Sequence, residues 1–226
     1  MAAINLKHTS GNGTILHSPA ANPSSDVTLK LPSTSGSAGQ VLKVASANHS
    51  STNAELEFAA EGSSGKILKV ENFVYKNNSS TTSSNNSYVA TPLTLSITPT
   101  AASSKIYINY NIIVSVNNNV RNGHVIYRDI NGGGFGAHTD FRHVVNGSNQ
   151  RLSGISNGGN EYTPYHCSNS FLDSPSYTLG NAISYKIYNW AESNSTIWIN
   201  RIFSNDSSSA SYGVGVSTMT LMEVAA

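Results

Sequence analysis

The stretch "KIYINYNIIVSV" at residues 105–116 alternates apolar and polar side chains over most of its length. Successive side chains of a β-strand point to opposite faces, so a period of two predicts a strand with one buried face. The Ile, Val and Tyr residues of this stretch are also residue types that strands favour. Residues 105–116 are therefore predicted to form a long β-strand.

Similar stretches occur on both sides of it, and no window of 11 or more residues has helical spacing. They are "LTLSIT" (93–98), "HVIYRDI" (124–130), "ISYKIYNW" (183–190), "TIWINRIF" (196–203) and "VGVSTMTLMEV" (214–224). Clusters of Gly, Asn and Ser separate them, as is typical of turns. The pattern predicts an all-β protein whose residues 67–226 form a jelly-roll-like β-sandwich head. Trp190 and Trp198 fall within strand patterns and are expected in the core.

The N-terminal part of the chain carries a repeat. "GSAGQVLKV" (36–44) is followed by "GSSGKILKV" (62–70) and preceded by "SGNGTILHS" (10–18). The glycines at 13, 39 and 65 are 26 residues apart in both intervals (39 − 13 and 65 − 39). A polar residue and an apolar pair follow each glycine; the pairs are Ile15–Leu16, Val41–Leu42 and Ile67–Leu68.

Residues 1–66 contain too few large apolar side chains to form a core within one chain. Repeats of this kind bury their apolar side against a neighbour or another chain. We therefore expect residues 1–66 to be an attachment and shaft segment in a homotrimer. The apolar pairs are expected to face the trimer axis, with the glycines providing turns.

Composition limits the classes of function. Only 11% of the 226 residues are charged, and the formal net charge is +1. Ser, Asn and Thr make up 81 residues, so hydroxyl and amide groups hydrate the surface more than charges do. The chain has no basic patch for nucleic acid. It also has no apolar run for membrane insertion and no apparent signal peptide. Cys167 is the single cysteine, which excludes an intrachain disulfide.

No sequence motif predicts catalysis, a cofactor or a metal, and the chain is not expected to be an enzyme. The segment "AHTDFRH" groups His138, Asp140 and His143, but one segment rarely supplies convergent metal ligands. Asp173 precedes "SP" and is expected to cap a turn rather than to act as an acid or base. Glycoside hydrolysis would require paired carboxylates, and none are close in sequence.

Residues 131–165 are rich in Gly and Asn and are expected to form exposed loops. Aromatic rings stack on sugar rings, while amides bond sugar hydroxyls, so such loops suit a host glycan or surface protein. The aromatic and imidazole side chains in this region are the candidates for host contact: Phe135, His138, Tyr162 and Tyr165.

Several motifs, in order along the chain, resemble those of tail-fibre-like virion structural proteins of marine (cyanophage-type) bacteriophages. They are "LKLPSTSGSAGQVLKV" (29–44), "GKILKV" (65–70), "LSITPTAASSKI" (95–106), "SFLDSPS" (170–176), "INR" (199–201) and "STMTLMEVAA" (217–226). The resemblance covers most of the chain except the loops at 131–165. It implies a virion structural protein, usually a homotrimer, that is made in the host cytoplasm and displayed on the particle. It supplies no catalytic residue.

Three interpretations remain open at this stage. The first is a tail fibre or spike that docks on another virion protein through its N-terminal segment and contacts the host surface. The second is a capsid (head) fibre or decoration protein with the same architecture. The third is a soluble lectin-like carbohydrate-binding module, which would need no shaft repeat and could be a monomer.

Overall fold

The computed structural model describes residues 3–7, 13–17, 28–50, 53–60, 65–84, 86–117, 120–138, 141–142, 152–156, 163–202 and 215–226. These residues form strands joined by turns, and they contain no α-helix. The all-β prediction is therefore confirmed. The chain divides into two compact units, Met1–Gly62 and Ser63–Ala226.

The described residues of the first unit form five strands in two small sheets. They are β1 (Ala3–Lys7), β2 (Gly13–His17), β3 (Thr28–Lys30), β4 (Gln40–His49) and β5 (Asn53–Ala60). β1 and β2 form an antiparallel hairpin. β5 lies between β3, which it meets in parallel, and β4, which is antiparallel. Ala45 is the single buried side chain among those described in this unit, so the described side chains of the β3-β5-β4 sheet form no hydrophobic core of their own.

The second unit contains the remaining strands. They are β6 (Ile67–Tyr75), β7 (Ser79–Ser83), β8 (Tyr88–Ile97), β9 (Lys105–Val116), β10 (Asn122–Ile130), β11 (Gly136–Ala137), β12 (Gly154–Ser156), β13 (Tyr165–Asp173), β14 (Ile183–Ala191), β15 (Ser195–Ile199) and β16 (Ser217–Val224). Both ends of the unit are joined, because Gly65 N–H donates to the Ala225 carbonyl and Ala225 N–H donates to Lys66, each at 2.9 Å.

These strands form a β-sandwich of two antiparallel sheets. One sheet has the order β6-β16-β9, with β13 on the other side of β9, and β15 and β7 extend it. The other has the order β8-β14-β10, with β11 and β12 both pairing with β10. Successive strands cross between the sheets from β7 to β8, β8 to β9, β9 to β10, β12 to β13, β13 to β14 and β14 to β15.

The core lies between the sheets and explains the alternation in 105–116. Ile106, Ile108, Tyr110 and Ile112 of β9 are completely buried. Side chains of the opposite sheet, including Leu93, Ile126, Ile183, Tyr185 and Ile187, pack in the same cluster. Trp190 and Trp198 are also buried, as the strand pattern predicts.

One predicted strand is shorter than expected. The pattern at 196–203 continues past Ile199, but β15 ends there because Asn200 adopts a positive φ of 62°. The Asn200 side chain stabilises this bend. Its amide donates to the carbonyls of Tyr75 and Asn77, at 2.7 and 3.0 Å, and its oxygen accepts from the Ser217 hydroxyl at 2.6 Å. Asparagine is among the residues that tolerate this backbone region best.

Candidate functional site

The second apolar pair of the repeat, in the first unit, is exposed in the single chain. Val41 and Leu42 of β4 are 42% and 49% exposed, and the following Val44 is 49% exposed. Leu29 and Leu31, which belong to the preceding strand and turn, are even more accessible. Three exposed aliphatic side chains within five residues of one strand form a surface that water solvates poorly.

The other two copies of the repeat lie in different surroundings. Ile15 and Leu16 are in β2, opposite Asn5 and Ile4 of β1, but their side chains lie outside the described residues. Ile67 and Leu68 begin β6 of the second unit, where they are 58% and 38% exposed. The sequence period therefore spans both units, and the three apolar pairs belong to three different strand pairings.

Two of the repeat glycines form turns. Gly39 and Gly65 have φ angles of 82° and 74°, which side chains with a Cβ adopt only at a cost. Each glycine comes just before a strand, β4 or β6. The glycine turns proposed from the sequence are present at these two positions.

Of the four residues proposed for host contact, the three that the structure describes do not form one cluster. Phe135 lies in the turn between β10 and β11, and the Lys186 ammonium lies 5.2 Å from its ring centroid. His138 contacts the ring of Phe141, at 5.8 Å between centroids, and Phe141 is buried in the core. Tyr165 opens β13 in the opposite sheet and packs partly against the core. Tyr162 lies outside the described residues.

A tyrosine cluster accompanies Phe135 on the outer face of the β8-β14-β10 sheet. Tyr127 of β10 and Tyr188 of β14 stack at 3.9 Å between centroids, and Tyr88 lies 6.3 Å from Tyr127. The three rings are half-buried. Lys186, the register partner of Tyr127, connects this cluster to Phe135. Sequence analysis missed the cluster because the register between β10 and β14 is needed to place Tyr127 beside Lys186 and Tyr188.

The shortest ion pair among the described residues lies inside the sandwich. Arg128 Nη1 donates to both carboxylate oxygens of Asp173, at 2.7 and 2.8 Å, and Tyr185 donates its hydroxyl proton to the same carboxylate at 2.6 Å. Burial, followed by the nearby negative charge of Asp173, raises the pKa of Tyr185. Asp173 is thus a buried ion-pair partner rather than the turn cap that its sequence context predicts.

A second buried polar pair joins the two sheets. The Tyr110 hydroxyl and His124 Nε2 share a hydrogen bond of 2.7 Å. Burial lowers the pKa of His124 to about 4 and raises that of Tyr110. Gly154 lies so close to the imidazole that a Cβ at this position would come within 2.4 Å of Cε1. The imidazole is therefore enclosed and held in its neutral form at pH 7.

Glu223, at the end of β16, is a buried carboxylate that stabilises the turn before β9 through hydrogen bonds. It accepts hydrogen bonds from the N–H groups of Thr100 and Ala101 and from the Ser104 hydroxyl, at 2.8 to 3.0 Å. Burial by itself would raise the pKa of Glu223, but these hydrogen bonds outweigh it and the pKa is lowered. The buried polar groups of all three clusters have partners inside the fold, so the clusters stabilise the fold.

The described residues contain no group of three or more His, Cys, Asp or Glu side chains arranged to hold a metal ion. Of the histidine-rich segment, Asp140 and His143 lie outside the described part of the chain. In the ranges given above, no helix is long and apolar enough to cross a membrane.

Comparison with known proteins gives little further information. No profile of a known protein family and no curated protein matches the chain. Among solved structures, the structure of infectious bursal disease virus Gx strain matches with a TM-score of 0.35 and 13% identity. The match covers 75% of this chain and 39% of that chain, so this chain spans well under half of the viral chain's length. The likeness is too distant to carry a conclusion about fold or function.

Proposed function

We propose that the chain is a non-enzymatic virion structural protein: a homotrimeric fibre or spike of a phage, with an N-terminal shaft and a C-terminal β-sandwich head. The single observation that carries this proposal is the first unit, in which Val41, Leu42 and Val44 are exposed and only Ala45 is buried among the described side chains. Such a segment gains stability when copies of the chain cover one another's apolar residues.

The order of motifs that resembles tail-fibre-like virion proteins supports the same proposal. It connects the exposed repeat to a displayed particle protein whose N-terminal segment docks on another virion protein. The chain carries no feature that favours a tail fibre over a capsid fibre, so the proposal covers both docking places. Imaging particles with a label on the N-terminal segment would distinguish them.

The oligomeric state is the first test. In light scattering at micromolar concentration, the full chain is expected to have three times its 23.9 kDa chain mass. The reason is that the exposed Val41–Leu42 pair of the first unit becomes buried between chains. A stable single-chain mass would contradict the trimer and would favour the lectin-like module instead.

The lectin-like interpretation has one observation of its own, the tyrosine cluster. This cluster supplies apolar ring surface and a cation on one face. The rings belong to Tyr88, Tyr127 and Tyr188, and the cation is Lys186 beside Phe135. In the fibre proposal the same face serves host contact, because weak sites displayed in several copies give strong attachment through avidity. His138, Tyr162 and Tyr165 remain further candidates for this contact, with Tyr165 on the opposite sheet.

Host contact can be tested with a paired substitution. Phe135→Ala together with Tyr188→Ser is expected to reduce adsorption of the particle to host cells by about tenfold or more. A loss of about 1.4 kcal/mol of binding free energy at one site already lowers its affinity tenfold, and the loss recurs at every copy. Leu179→Ser is a suitable control, because Leu179 is 55% exposed and lies outside this cluster. Unchanged adsorption by correctly assembled variant particles would remove this face from host contact.

A further inference from the structure

The first half of β6 has charged side chains on its half-buried positions and apolar ones on its exposed positions, the reverse of what an isolated sandwich requires. In the second half, Phe73 and Tyr75 occupy the half-buried positions. Lys69, Glu71 and Phe73 occupy the half-buried positions, where Lys69 pairs with Glu71 at 3.1 Å. The alternate positions are exposed and mostly apolar: Leu68, Val70 and Val74 are 38%, 51% and 40% exposed. Pairing with β16 fixes this register, so the strand cannot turn its valines inward by slipping one residue.

The strand register extends this exposed apolar surface across the sheet. Val70 lies opposite Met222, Met222 opposite Tyr107, and Tyr107 opposite Leu172. Four apolar side chains from β6, β16, β9 and β13 therefore form one continuous row on the outside of the sandwich. Leu172, at the far end of the row, is 54% exposed.

The neighbouring rows are polar and nearly uncharged. The next row consists of Asn72, Thr220, Asn109 and Ser170, and the one after it of Val74, Thr218, Asn111 and Ser168. We call the outward residues of these four strands the β6–β13 face. It contains no Asp, Glu or Arg, and its single lysine is Lys105 at the start of β9.

We propose that the β6–β13 face packs against further copies of this chain around the axis of the trimer. This inference rests on the proposed trimer and identifies the surface of the head that takes part in it. Identical residues approach one another near a symmetry axis, where like charges would repel. The face avoids that repulsion, since Asn, Ser and Thr carry donors as well as acceptors and can bond their own copies.

The chain itself provides the second argument for this occupant. β6 begins with Ile67 and Leu68, the third copy of the repeat whose earlier copy is exposed at Val41 and Leu42. The apolar row starts two residues beyond Leu68. The third copy of the repeat is therefore covalently continuous with the face.

Cysteine labelling of the full chain tests the face directly. In the assembled protein, Val70→Cys and Leu172→Cys are expected to react with a maleimide more than about tenfold slower than Leu179→Cys. The reason is that a reagent reaches a thiol in an interface only when the chains separate locally. The three positions have similar exposure in the single chain, at 51%, 54% and 55%. The wild type corrects for Cys167, which is buried.

The outcomes separate this inference from the function it rests on. Fast labelling at positions 70 and 172 in a protein of three-chain mass would overturn the face and leave the trimer standing. A single-chain mass for the wild type would overturn both. A second variant, Val70→Asp, is expected to lower the melting temperature of the assembled protein, whereas Leu179→Asp is expected to leave it unchanged. Equal melting temperatures would count against the face.

Discussion

Replacing Arg128 with Met is expected to lower the free energy of unfolding by about 3–5 kcal/mol, because it leaves a buried carboxylate without its counter-ion. The Asp173 side chain is completely inaccessible and Arg128 is 13% exposed, so water cannot replace the lost partner. The pair also joins β10 of one sheet to the end of β13 in the other. Urea denaturation at pH 7 and constant protein concentration measures the effect.

Two further variants show whether the unpaired charge is the cause. Arg121→Met breaks an ion pair with Glu192 of similar length, 3.2 Å, but its partners are 72% and 45% exposed. It is expected to cost less than about 1 kcal/mol. Combining Arg128→Met with Asp173→Leu removes both charges and is expected to recover most of the lost stability. If the double variant is as unstable as Arg128→Met, the carboxylate is not the source of the effect.

Lowering the pH from 7 to 5 is expected to destabilise the protein by about 2 kcal/mol through His124. Each pH unit below the ordinary histidine pKa of 6.5 costs about 1.4 kcal/mol of folding free energy. Its folded pKa of about 4 lies below the unfolded value of 6.5. Between these values the unfolded chain binds a proton that the folded chain excludes. The stability that the neutral His124 contributes is therefore fully present above pH 6.5 and is lost as the pH falls toward 4.

The variant His124→Gln is expected to remove this loss between pH 7 and 5, whatever its absolute stability. His138→Gln is the matched control, because it makes the same substitution outside the buried Tyr110–His124 pair. The lowered pKa of Glu223 adds acid sensitivity in the range below its ordinary value of 4.5, so both variants should still lose stability there. An unchanged loss between pH 7 and 5 in His124→Gln would assign the effect to other groups.

Much of the fold was predictable because local patterns reported it. The alternation at 105–116 places Ile106, Ile108 and Tyr110 on one face, and these side chains are the core of the sandwich. The repeat glycines at 39 and 65 indicated turns, and both have the positive φ that such turns use. These features depend only on residues that are neighbours in the sequence, so they can be predicted from one sequence without knowledge of the tertiary structure.

The strand β13 was not predicted, and its position explains why. In its sequence "YHCSNSFLD" (165–173), the apolar Leu172 joins Ser and His on the outward positions, and the polar Asn169 and Asp173 interrupt the apolar inward ones. Hydrophobic alternation is therefore weak. Asp173 belongs inside because Arg128 and Tyr185, distant in sequence, supply its hydrogen bonds.

The sequence by itself determined the β-structure, the positions of most strands and the shortage of apolar side chains in residues 1–66. Only the tertiary structure decided the strand order, the buried Arg128–Asp173 and Tyr110–His124 pairs, the tyrosine cluster and the apolar row from Val70 to Leu172. Each of these depends on the register between strands far apart in the chain. Register is set by the packing of whole sheets, since many pairings satisfy the same local alternation.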